Sequence, residues 1–331
     1  MHHTSALVAN DPLAVAYRKH LERDEERLLA DVPRFRPGCS DHLTLLSFGG
    51  GQDSTAILYK ILYDPAFAQQ SIPGRLVVCM SDTGNEHPAT LLHVAFCQRL
   101  CQAAGVEFVF LRFEDGFHTP QWKTLTHFYA SHATIGSKAY PKTCTVRLKL
   151  DPIYSWLNQL VADDLGVVAT RKNGLYRFAS DHGKVAVWIG IASDEDRIGE
   201  SNREPLWMQR TIQKRYPLVQ WGWDRQACQL YIADLGLPLP PPSNCMLCPF
   251  LNEVELVWLH RFYPFVFQYW VELEAAKIAK WAGRTKRNLG VFGERLLPEV
   301  LATAKQRYGS MTDVQLCEHK QSHGHCVKSR Y

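Results

Sequence analysis

Apolar residues in this chain fall in short runs broken by polar and glycine-bearing stretches. Four runs, at 43–48, 75–80, 106–111 and 185–191, have the length of single strands and stop at turn residues, so they predict buried strands. Helix-forming stretches fill the intervals, at 54–63, 88–104 and near 152–163. Strand and helix alternating through short connections predict the fold class α/β, with a doubly wound, mostly parallel sheet covered by helices on both faces. A charged amphipathic helix over 12–31 precedes the first strand, and a smaller, mainly helical region follows the last.

The proline-rich stretch at 237–242 is stiff and marks a boundary. Three pieces are expected: an N-terminal helical extension over 1–40, an α/β nucleotide-binding domain over 41–236, and a cysteine-containing helical region over 237–331. In the last, helical stretches are expected at 254–281 and 297–308, and the final fifteen residues read as a polar tail.

Composition narrows this picture. With 46% apolar residues the chain can build a sizeable core, and a net charge of +4 is too mild to imply nucleic acid by itself. No apolar run reaches the roughly 18 residues of a membrane span. Residues 1–10 lack a basic segment followed by an apolar one, so no secretory signal is expected and a cytoplasmic setting is. In such a setting the ten cysteines favour free thiols, metal binding or catalysis over disulfides. Cys79, Cys97 and Cys101 sit in apolar stretches and read as core. Cys144, Cys245, Cys248, Cys317 and Cys326 sit near turn signals.

The stretch Ser47-Phe48-Gly49-Gly50-Gly51-Gln52-Asp53-Ser54-Thr55 ends the first strand and opens a helix. Glycines admit positive φ and close approach of the backbone to a bound group. Unpaired N–H groups at the helix start favour an anion, and Ser54 and Thr55 add hydroxyl donors. Asp53 is out of place in a bare phosphate cradle but suits a magnesium ion bridging phosphates. The spacing is neither Gly-x4-Gly-Lys-Ser/Thr nor Gly-x-Gly-x-x-Gly. A glycine-rich turn without a ligand is the plainer alternative.

Four further segments carry polar or aromatic clusters. Ser81-Asp82-Thr83-Gly84-Asn85-Glu86-His87-Pro88 follows the second strand, at the edge where open α/β sheets bind ligands. Lys142-Thr143-Cys144-Thr145 leads to Arg147, Lys149 and Pro152. Gly190-Ile191-Ala192-Ser193-Asp194-Glu195-Asp196-Arg197 follows the fourth strand, and Tyr216-Pro217-Leu218 is followed by Trp221 and Arg225. A capped helix start, a solvated basic turn, a salt-bridged surface turn and simple packing are the respective plain readings.

Cys245-Met246-Leu247-Cys248-Pro249 is the sharpest local signal. Two thiolates at this spacing can bind one metal centre, including an iron–sulfur cluster, or form a redox pair. Lys277, Lys280, Arg284, Lys286 and Arg287 surround Trp281. A solvated helix face is the favoured reading of that patch over a nucleic-acid track.

In their order along roughly 43–260, these segments resemble the phosphoadenosine-phosphosulfate reductase-like branch of the ATP pyrophosphatase (PP-loop, adenine nucleotide α-hydrolase-like) superfamily. The first is similar to its Ser-Gly-Gly-x-Asp-Ser loop, with Gly49 where serine is usual and Gln52 where lysine is common. The second is similar to Asp-Thr-Gly-x-Glu-x-Pro, the third to Cys-Thr-x-x-x-Lys-x-x-Pro and the fourth to Gly-Ile-Arg-x-Asp-Glu-x-x-Arg, with Ala192 in place of arginine. The resemblance implies a fold of the same class. It implies that ATP or a phosphoadenosine-phosphosulfate-like nucleotide with Mg²⁺ sits against Ser47, Gly49, Gly50, Gly51, Asp53, Ser54, Thr55, Asp82, Thr83, Gly84 and Glu86. Asp53, Lys149 and Arg197 would act in catalysis. Cys144, Cys245, Cys248 and Cys326, with Cys317 as the other choice for the fourth, would hold a [4Fe–4S] cluster, zinc being the alternative. The activity so implied is adenylation of a substrate followed by sulfur transfer, with a nucleic acid or nucleoside as acceptor and a sulfur-donor protein as partner. Release of sulfite from phosphoadenosine phosphosulfate is one alternative, and a nucleotide-binding sensor or subunit without turnover is another. The Glu-Cys-Gly-Leu-His tail of simple reductases of that family is not found here.

Overall fold

The structure, a computed structural model, describes residues 11–194, 204–284 and 287–323. Five parallel strands form one sheet in the order β3-β2-β1-β4-β5: β1 is Leu43–Ser47, β2 Arg75–Ser81, β3 Glu107–Leu111, β4 Val185–Ile189 and β5 Ile212–Arg215. Successive strand residues point to opposite faces. Leu46, Val78 and Trp188 therefore pack into one core with the helices Pro12–Asp31, Gln52–Tyr63, Pro88–Ala104 and Arg225–Asp234. Leu45, Val77 and Val187 pack into another with the helices Asp151–Asp164 and Asn173–His182. Helices on both faces of a parallel sheet make the fold doubly wound, as the alternation predicts. Cys79, Cys97, Cys101 and Cys228 are fully buried in these two cores.

A third core joins the C-terminal helices to the segment between β3 and β4. Trp258, Trp270 and Leu256 meet Trp122, Leu125, Tyr129 and Leu148 there. The stretch expected to be helical over 254–281 is two helices, Glu253–Phe262 and Pro264–Lys280, because Pro264 starts a new first turn and cannot continue the old one.

Two further expectations change. The proline-rich stretch is a packed strap: Thr90 Oγ1 donates to Pro242 O at 3.1 Å and Gln321 Nε2 to Pro240 O at 2.8 Å. The polar tail begins as a helix, Asp313–His323, with Leu316 and Lys320 buried. Among the described residues no helix is long and apolar enough to cross a membrane.

Candidate active site

The chain winds from β1 to β3 on one side and returns to β4 and β5 on the other, so the loops leaving β1 and β4 diverge. A crevice at the carboxyl ends of the strands is the expected ligand position in such a sheet. A cleft open to solvent occupies this point and is lined by Ser47, Gly49, Gly51, Gln52, Asp53, Ser54, Ser81, Lys149, Gly190, Arg225 and Ser243 among others.

Its floor is the glycine turn. Gly50 has φ +67°, and a Cβ there would meet Thr90 Cγ2 at 2.9 Å, so this position requires glycine. The Ser54 hydroxyl folds back, accepting from the Gly49 N–H at 3.1 Å and donating to Gly51 O at 3.3 Å. Gly51 stands at the N-cap with no side-chain cap bond, and the start of a helix favours an anion. Gly190, after β4, packs directly against this helix start: a Cβ on it would stand 2.7 Å from Ser54 N. Gly50 and Thr55 do not line the cleft. Thr55 is fully buried, and its hydroxyl bonds His93 Nε2 at 2.8 Å on the inner side.

Gln52, at the position where the resembling family carries lysine, is tied up by the protein. It donates to Gln321 O at 3.4 Å and accepts from Gln229 Nε2 at 2.8 Å. Positive charge comes instead from Lys149 and Arg225. A π-helical turn, Thr145–Leu150, presents Lys149 inward, and the Leu148 carbonyl is anchored by the Ser81 hydroxyl at 2.6 Å. Arg147, by contrast, is exposed and pairs with Asp151. Arg225 is a lining residue whose sequence signal was its place after Trp221. Trp221 itself packs against Phe67, Trp223 and Lys60, as in the packing reading.

Asp82, Thr83, Gly84 and Glu86 are absent from the lining of this cleft; Thr83 and Glu86 stand beside Cys245 instead. Asp82 closes a local turn by accepting from the Gly84 N–H at 2.7 Å. Asn85 grips the Cys-x-x-Cys segment: its carbonyl accepts from Met246 N at 3.0 Å and its side-chain oxygen from Leu247 N at 2.8 Å. Thr83 donates to Glu86 Oε1 at 2.9 Å and lies 3.5 Å from Cys245 Sγ. The same Glu86 oxygen is 3.9 Å from Cys245 Sγ and 3.5 Å from Lys149 Nζ, while Oε2 is buried with no hydrogen-bond partner among the described residues. Burial raises the Glu86 carboxyl above its ordinary range, against the pull of Lys149. Burial, and then the Glu86 charge, also push the Cys245 thiol well up.

Cys144, Cys245 and Cys248 line one small cavity with Thr83, Leu125, Tyr129, Lys142, Lys149 and Pro249. Three thiols and apolar walls are a donor set suited to a soft metal or an iron–sulfur cluster. Among the described residues, however, no three His, Cys, Asp or Glu side chains stand close enough to hold a metal ion. Cys317 is elsewhere, packed in the third core near Trp258, with burial pushing its thiol up to about 11. Arg197 and Cys326 lie outside the described residues. In the basic patch, Lys277 donates to Leu289 O, Lys280 to His132 O and the Trp281 indole to Ala133 O, so these groups tie chain segments together. Lys286 lies outside the described residues.

No family model and no curated protein matches the chain. Among solved structures it is similar to the U34-tRNA thiolase NcsA from Methanococcus maripaludis with its [4Fe-4S] cluster, at 12% identity over 89% of this chain and 82% of that one, with a TM-score of 0.37. A likeness this distant carries no weight for the site.

Proposed function

We propose that the chain is an enzyme that binds ATP or a related adenine nucleotide in the glycine-loop cleft, adenylates a substrate and completes a sulfur transfer at the cysteine cavity. The observation that carries this reading is Lys149, which lines both cavities. A nucleotide in the cleft and a sulfur group at the cysteines would then share one wall.

In this scheme the uncapped first turn after Gly51, with Lys149 and Arg225, holds the phosphates. Asp53 would hold Mg²⁺, which when bound spreads the negative charge of the phosphates. A substrate oxygen attacks the α-phosphorus and pyrophosphate leaves. A sulfide-level sulfur, supplied by a donor protein, then attacks the activated position and AMP departs with the oxygen. Cys144, Cys245 and Cys248 would hold a [4Fe–4S] cluster, which when bound would supply a carrier for that sulfur. Orientation and fixed charge account for most of the acceleration in such a site. A nucleobase in a nucleic acid or nucleoside is the acceptor class proposed.

The test is AMP and pyrophosphate formation from ATP by chain purified without oxygen, with iron, sulfide and zinc content measured on the same sample. Asp53→Ala is expected to lose turnover roughly 10²-fold or more while remaining folded; unchanged turnover overturns the reading. Sulfite release from phosphoadenosine phosphosulfate with a thiol donor would point to the reductase chemistry. Tight nucleotide binding without turnover would point to a sensor or subunit.

A further inference from the structure

Lys320 is among the most deeply buried side chains, 1% exposed, although it sits in a stretch of polar sequence. Its ammonium donates to Asn244 Oδ1 at 2.6 Å and to Glu255 Oε1 at 2.9 Å and lies over the Trp258 ring. Asn244 in turn donates to Glu255 Oε1 at 2.8 Å. The other Glu255 oxygen accepts from Asn252 N at 3.0 Å, which completes the capping box of the helix Glu253–Phe262. Asn244 is the residue immediately before Cys245.

The next residue of the same helix reaches the start of the glycine-loop helix. Gln321 O accepts from Gln52, the first residue of the glycine-loop helix, and Gln321 Nε2 ties down the proline strap. Gln52 is also bonded to Gln229 on the helix that begins with Arg225, a cleft residue. Two consecutive residues of the helix Asp313–His323 thus grip the glycine turn and the residue before Cys245.

We propose that this helix is a coupling strut: Lys320 is a positioning residue for the Cys245 segment, and the contact of Gln52 with Gln321 passes occupancy of the glycine-loop cleft to it. The proposal rests on the nucleotide reading above. A ligand that settles against the first turn after Gly51 acts on Gln52, and a contact difference between the free and occupied turn is what a coupling requires. A buried charged pair keeps its contacts in one geometry, because each alternative leaves a charge unpaired. Lys320 therefore converts a displacement of its helix into one of Asn244.

Hydrogen–deuterium exchange on the chain as purified, with and without ATP and Mg²⁺, tests this with separate signals for the two ideas. Peptides over 47–55 report nucleotide binding, and peptides over 243–251 report the cysteine segment. In the wild type ATP is expected to slow exchange in both. In Lys320→Met, exchange over 243–251 is expected to rise roughly tenfold and to ignore ATP, while 47–55 remains protected. Asn244→Ala keeps the Lys320–Glu255 pair and removes only the link to the residue before Cys245, so it carries the test if Lys320→Met does not fold; it too is expected to uncouple 243–251 from ATP with 47–55 still protected. If 47–55 responds to ATP and 243–251 does not, or if both variants retain the wild-type response, the strut is overturned while the nucleotide site stands. If 47–55 never responds, the nucleotide reading fails and the coupling falls with it.

Discussion

Cys245 lies between two buried carboxylates that the fold treats in opposite ways. On one side, Glu255 is saturated. Lys320, Asn244 and the Asn252 N–H all donate to it. Burial alone would raise this carboxyl, but the Lys320 charge and these hydrogen bonds outweigh burial and hold it below its ordinary range. On the other side, Glu86 has the Thr83 hydroxyl and a more distant lysine on one oxygen and, among the described residues, no partner on the other, and burial wins. A fully satisfied buried network fixes a geometry, whereas an incompletely satisfied one is a cost that a fold retains where chemistry or a ligand uses it. On the proposed function, the contrast corresponds to a structural role for the Lys320 side and a chemical one for the Lys149 side.

The sharpest way to break that contrast is to remove one cation from each side. Lys320→Met leaves a buried carboxylate without its charge partner, and single removals of that kind cost about 3–5 kcal/mol. Replacing Glu255 by Gln in the same chain removes the stranded charge and is expected to recover a large part of the loss in urea unfolding. Lys149→Met should behave in reverse. Burial already raises the Glu86 carboxyl against the pull of Lys149, so stability is expected to fall by only about 1–2 kcal/mol, while turnover of ATP to AMP falls roughly 10²-fold through loss of charge on the phosphates. Equal stability losses at the two sites, with turnover untouched by Lys149→Met, would erase the distinction.

Acid sharpens the same comparison. The folded Glu255 carboxyl lies below its ordinary value of 4.5. Its stabilising contribution is therefore fully present above 4.5 and is lost as pH falls through the depressed folded value. Urea midpoints taken downward from neutral pH should drop more steeply below that point in the wild type than in Glu255→Gln. Parallel slopes would mean that Glu255 is not held ionised by Lys320.

These two sides were unequally legible in the sequence, for a physical reason. Strands β1, β2, β3 and β4 announce themselves as apolar runs; β5, Ile-Gln-Lys-Arg at the sheet edge, buries only Ile212 and leaves no such run. The glycine turn is local chemistry within a few residues and can be read directly. Lys149 carries a motif, although nothing in it says that the lysine serves two cavities. The Thr83–Glu86 segment is legible as a polar cluster at a strand end, but its turn away from the glycine cleft towards Cys245 is a tertiary fact. The Lys320 network joins residues 65 and 76 positions apart. Its helix has two buried residues, of which one is a lysine, so the stretch reads as a solvated tail. Burial of a charge leaves no periodic trace when the partner that permits it is distant in sequence.

The mildest expected effect concerns the glycines of the cleft and separates crowding by backbone from crowding by a side chain. A Cβ at Gly190 would press on the backbone of Ser54, at 2.7 Å from N and 2.9 Å from Cα, and neither atom can yield without moving the glycine-loop helix. Gly190→Ala is therefore expected to cost about 1–3 kcal/mol and to weaken nucleotide binding. Gly51 has an extended backbone, φ −101° and ψ 176°, that alanine adopts freely. A Cβ there would collide with the Ser243 side chain, whose hydroxyl can rotate away only in part, since Ser243 Cβ would remain at 3.2 Å. Gly51→Ala should cost less than about 1 kcal/mol, and Ser243→Gly in the same chain should return the unfolding midpoint and the affinity for ATP together. If Ser243→Gly fails to rescue, the requirement at Gly51 comes from a bound phosphate group approaching the backbone rather than from Ser243, and the cleft is narrower at that turn than its protein atoms alone imply.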